Sequence, residues 1–131
     1  DPPALTLEDS LVAYWPLDGA DDTSTPDLGP NGYALSLVNM DASNFVNDED
    51  RVAASFDGIG TMLVRNNGEG DELPINQFDL YTISIWVKIT GTGQNDLRFF
   101  SEGSTASGNP LFNLGTKNNG ADNTVDVYLR D

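Results

Sequence analysis

The feature that most constrains this chain is its punctuation: short apolar runs are cut every few residues by Gly, Asn, Asp and Pro, and apolar residues almost never recur at helical spacing. Asp18-Gly19, Asn31-Gly32, Asp57-Gly58, Asn67-Gly68 and Asn119-Gly120 supply the residues that tolerate positive φ in tight turns. The runs predicted as strands are Leu11–Pro16, Ala34–Val38, Val52–Phe56, Thr61–Val64, Tyr81–Thr90, Leu97–Ser101, Pro110–Leu114 and Thr124–Leu129. Such spacing predicts an all-β chain, an antiparallel β-sandwich or barrel. At 131 residues it is expected to form one domain. Residues 1–10 read as an extended N-terminal arm opened by Pro2-Pro3, or as a short strand from near Leu5, and residues 11–131 as the sandwich.

The clearest alternation lies in Tyr81–Ile89. Ile83, Ile85, Val87 and Ile89 share one face, expected to enter the core, and Thr82, Ser84, Trp86 and Lys88 share the other. Trp86 on that second face is expected to pack under a loop or a neighbouring element; the alternative is an exposed platform for a sugar ring. Phe56 is expected in the core with Ile85. Asn47-Asp48-Glu49-Asp50 reads as a solvated loop.

Charge and residue usage narrow the function. Twenty-one acidic against six basic residues give a formal charge of −15, a field that repels phosphate backbones and anionic membranes. Neither nucleic acid nor membrane is an expected partner. The chain has 0 Cys and 0 His, which removes thiolate and imidazole nucleophiles, bases and metal ligands. A metal site would be all oxygen, favouring Ca²⁺ or Mg²⁺. The longest apolar run, Leu11–Leu17, is too short to span a bilayer as a helix. The chain opens at Asp1 without Met, as after removal of a signal peptide, a larger precursor or an expression tag.

Four blocks in order then carry a resemblance. These are Leu11-Val12-Ala13-Tyr14-Trp15-Pro16-Leu17-Asp18-Gly19, Asp27-Leu28-Gly29-Pro30-Asn31-Gly32-Tyr33, Val52-Ala53-Ala54-Ser55-Phe56-Asp57-Gly58, and Phe78 to Lys88. Together they resemble the laminin-G-like, concanavalin A-like lectin/glucanase jelly rolls of bacterial secreted proteins. The Phe-Asp-Gly strand end and the Thr-Ile-Ser-x-Trp-Val strand are the most specific matches. The resemblance implies a secreted or cell-surface jelly roll. It thins beyond residue 90, and the Trp-His-His-like, Tyr-x-Asn-Gly and Asp-x-x-Arg-x-Tyr/Phe elements that usually follow are not matched. The sandwich is therefore expected either to be a fragment or to be completed in trans by another copy or another chain, with Val125–Leu129 read as an inner strand.

Catalysis is not expected. Glucanases of this fold place carboxylates in a Glu-x-Asp-x-Glu strand, whereas Glu8, Glu49, Glu69, Glu72 and Glu102 are scattered. Asp18, Asp22 and Asp27 with Asn31, beside Asp21, form an oxygen-rich loop that reads as a structural Ca²⁺ site or as plain turn chemistry. In the resembling domains an Asp of the Asp-x-x-x-Asn-Gly turn holds Ca²⁺, and Asp27 matches that position. For a ligand, Asn66, Asn67, Asn118, Asn119 and Asp122 with Tyr128 as aromatic partner are the candidates; ordinary turn chemistry is the alternative for the amides. The expected function is a non-catalytic extracellular adhesion or assembly module that polymerises by strand exchange. The alternative is a lectin-like carbohydrate-binding module of a secreted polysaccharide-degrading protein. Expected partners are other copies of the chain or another extracellular protein, with glycans as a further class.

Overall fold

A computed structural model describes residues 6, 8–65, 73, 80–89, 98–103, 111–116 and 125–130. All of its sheets are antiparallel and the described residues include no α-helix, so the chain is all-β. Its contacts divide it into two compact units, residues 1–72 and 73–131.

The first unit holds strands β1 (Ser24–Thr25), β2 (Leu35–Val38), β3 (Phe45–Asp48), β4 (Arg51–Ala54) and β5 (Met62–Val64). β2 is the centre of a three-stranded sheet ordered β1-β2-β5, with Leu37 opposite Leu63. Thr25, opposite Leu35, is the one completely buried side chain among the described residues, and its hydroxyl donates to the Gly19 carbonyl at 2.6 Å. β3 and β4 form a hairpin closed by Glu49 and Asp50, with Asp48 opposite Arg51 and Glu49 at φ +58°. The expected solvated loop at 47–50 is thus shorter: Asn47 and Asp48 belong to the ladder, because the turn needs only two residues. A 3-10 turn, Ala42–Asn44, leads into β3; the Asp41 carboxylate accepts from Ser43 N at 2.7 Å and the Asn44 side chain accepts from Asp41 N at 3.0 Å.

In the second unit β6 (Arg98–Gly103), β7 (Leu111–Thr116) and β8 (Val125–Arg130) make a sheet in that order. The central strand is the buried one, with Asn113 and Thr116 nearly solvent-free. The Ser101 hydroxyl donates to the Asn113 side-chain oxygen at 2.6 Å across the β6–β7 pair, giving the buried amide a partner. Phe112 packs edge-on against Phe100 and Tyr81, both at 6.0 Å between ring centroids.

Four expectations are corrected. Leu11–Pro16 joins no ladder among the described residues; backbone groups of Val12 and Tyr14 meet the 27–33 loop, as described below. Tyr81–Ile89 likewise forms no ladder among the described residues, and of its four aliphatic positions only Ile83 is half-buried, Ile85, Val87 and Ile89 being exposed. Alternation defines which residues share a face, whereas burial requires a partner element against that face. Trp86 is 90% exposed rather than packed under a neighbour. Phe56 lies past the end of β4, where the chain turns into the Asp57 loop, and it too is exposed rather than in the core.

Candidate functional site

The acidic loop is organised around Asp27. Its Oδ1 accepts from the backbone N–H of Tyr14 and of Gly29, and its Oδ2 from that of Tyr33, all three at 2.7 Å. The Leu28 N–H donates back to the Tyr14 carbonyl at 2.8 Å, so Asp27 and Leu28 together pair with Tyr14 as a facing strand would. Asn31 adds a bond from its amide to the Val12 carbonyl at 2.8 Å, and the Trp15 indole donates to the Tyr33 carbonyl at 2.6 Å. The Val12 carbonyl and the Tyr14 N–H and carbonyl are therefore paired by side chains and a loop instead of by a ladder. Gly29 is demanded at its position: a Cβ would come within 2.8 Å of Asp27 Oδ1 and 3.0 Å of Ala13 Cα and Tyr14 N. Gly32 sits at φ +65°, the left-handed region glycine enters without cost.

Burial by itself would raise the Asp27 carboxyl. The three N–H donors and the charge of Arg65 outweigh it and hold the group below its ordinary value. Arg65 lies over the Tyr33 ring, 3.6 Å from its centroid, so the loop is closed from the β5 side by a cation–π contact. Asp21 works similarly on a smaller scale, accepting from Thr23 N at 2.8 Å and Ser24 N at 2.7 Å, which lowers its pKa. Asp57 Oδ1 accepts from the backbone of Ile59, Gly60 and Thr61 at 2.8, 3.0 and 3.1 Å, and these bonds lower its pKa strongly. The Asn31-Gly32 and Asp57-Gly58 blocks that carry the resemblance are, locally, loops knotted around one carboxylate each, Asp27 and Asp57.

Of the residues predicted to hold Ca²⁺, Asp18, Asp22 and Asn31 are exposed and Asp27 is half-buried. Asp18 lines a shallow cleft with Gly19, Asp21, Ser24, Pro26 and Ala34, whereas Asp27 points its lone pairs at N–H groups. Among the described residues no three acidic side chains converge on a point that could hold a metal. Of the predicted ligand residues, Tyr128 lies on β8; Asn66, Asn67, Asn118, Asn119 and Asp122 lie outside the described residues.

Val125–Leu129, expected as an inner strand, is instead the outer strand of its sheet among the described residues, and its apolar row is exposed. Val125, Val127 and Leu129 share the face of Thr116, Leu114 and Phe112, and they are 67%, 57% and 68% exposed. Phe112 and Leu114 on the same face are half-buried, so cover is lost at the last strand. The signal was present as alternation in Val125–Leu129; what periodicity could not say is that this face meets water.

Fold and surfaces together define an all-β protein of antiparallel sheets with carboxylate-braced loops and an apolar outer strand. Comparison with protein-family models, with curated proteins and with solved structures finds no match.

Proposed function

We propose that the chain is a non-catalytic, extracellular adhesion or assembly module of the laminin-G-like sandwich type, acting through its sheet surfaces. The observation that carries this reading is the exposed apolar row of β8 on the outer strand of a sheet. Water-facing Val, Val and Leu in register along a strand edge are a cost for an isolated chain and an asset for one that adds a further strand or sheet. The absence of His and Cys from the sequence and the lack of a paired-carboxylate strand support a binding role over a catalytic one. Sedimentation velocity from low to high micromolar protein is expected to show concentration-dependent association; a monomer at every concentration would refute the reading.

One observation favours a second reading, a lectin-like module. Trp86 presents a 90% exposed indole, the group that stacks on a sugar face. Pull-down on insoluble polysaccharides, competed by soluble sugar and lost in Trp86→Ala, would support it. Equal retention of wild type and Trp86→Ala would dismiss it.

A further inference from the structure

The outer edge of β8 has no ladder partner among the described residues, and its six residues are self-complementary. Antiparallel pairing of a strand with its own copy is symmetric about one point, and the choice of point decides which side chains meet. Centring on Tyr128 sets Val127 against Leu129 of the second copy, Tyr128 against Tyr128, and Asp126 against Arg130, the last contact occurring twice. Centring on Asp126 would oppose like charges, and centring on Val127 would leave Asp126 against Tyr128. Centring between two residues would put apolar and polar rows on one face. Only the Tyr128 centre keeps the apolar row continuous and the charges opposed.

Resting on the assembly reading, we infer that the occupant of this edge is β8 of a second copy, paired antiparallel about Tyr128. The product is a six-stranded sheet built from β6-β7-β8 of two chains across a two-fold axis. Val125, Val127 and Leu129 of both copies then form one apolar band, continuous with Phe112 and Leu114. The guanidinium of Arg130 has five N–H donors, enough to serve Asp126 of the second copy beside its existing contact. Each chain carries −15, so long-range repulsion opposes the pairing and added salt strengthens it.

The chain contains no cysteine, so one introduced thiol reports one position. Opposed residues in an antiparallel pair lie within the Cα separation a disulfide spans. Tyr128→Cys, oxidised at micromolar protein in 0.5 M salt, is expected to form a disulfide-linked dimer by intact mass roughly tenfold faster than Asp22→Cys, whose thiol stands at an exposed loop position. A thiol-free series checks the register. Asp126→Arg and Arg130→Asp are each expected to weaken the dimer by roughly tenfold, and the double exchange Asp126→Arg/Arg130→Asp to restore it. Equal cross-linking rates at 128 and 22, or a double exchange as weak as the single ones, would overturn the inference. An oligomer indifferent to every β8 change sinks this inference alone and leaves the assembly reading standing; a chain monomeric in all conditions sinks both.

Discussion

Replacing Asp27 by alanine removes the acceptor of three backbone N–H groups at once. Each bond is 2.7 Å and charge-assisted, and net contributions of such bonds run about 1.5–3 kcal/mol. The loop is only half-buried, so water recovers part of the loss, and the expected cost for Asp27→Ala is about 2–4 kcal/mol. Asp27→Asn separates geometry from charge. Keeping the amide oxygen at Oδ1 preserves the bonds from Tyr14 and Gly29, but the amide NH2 then faces the Tyr33 N–H, donor against donor, for an expected loss of about 1–3 kcal/mol. Chemical denaturation followed by indole fluorescence is the assay. Trp15 donates to Tyr33 in the same loop and reports on it directly, once Trp86 is replaced by Phe to leave one indole. A shift below about 0.5 kcal/mol for Asp27→Ala, the usual scale of an uninvolved surface position, would refute the bracing role. A loss seen only with millimolar Ca²⁺ and abolished by chelator would assign Asp27 to a cation instead.

Acid provides the second prediction: Asp21, Asp27 and Asp57 all have folded pKa values below their ordinary 3.8, so their stabilisation is complete above that value and drains as pH falls beneath it. Wild type should lose stability on descending from pH 4, and Asp27→Ala should show a shallower decline; identical slopes in denaturation midpoint would contradict this. Gly29→Ala drives a methyl into the backbone of Ala13 and Tyr14 and should cost about 1–3 kcal/mol in the same assay, with no change in midpoint counting against the close approach. Thr25→Val keeps the shape of a solvent-free residue while orphaning the Gly19 carbonyl, so a loss of about 1–2 kcal/mol is expected from denaturation curves, and a neutral result would show that water replaces the hydroxyl.

Sequence reading located β2, β4, β5 and β6 to β8 within a few residues because each is an apolar run bounded by turn formers. It passed over β1, whose two residues Ser24 and Thr25 carry no apolar signal and pair through backbone alone. β3 was hidden because Asn47 and Asp48 read as loop, although Phe45 and Val46 before them fit a strand. The reverse error arose at 11–16 and 81–89, where composition suits a strand but no ladder partner stands alongside among the described residues. Ladder membership is a property of two segments, and one segment's pattern states only half of it. At the acidic loop the sequence names Asp18, Asp22, Asp27 and Asn31 and leaves their employment open between cation and turn. The direction of the hydrogen bonds, N–H groups pointing at the carboxylate, appears only in three dimensions.

The braces at Asp21, Asp27, Asp41 and Asp57 close their loops without any covalent cross-link. A carboxylate joined to amide protons has no oxidised and reduced forms. Its loops close without an oxidant, need no isomerase to find their partners, and are untouched by glutathione or dithiothreitol. Chain made in a reducing cytosol and chain exported through an oxidising compartment should therefore carry the same loop geometry at neutral pH.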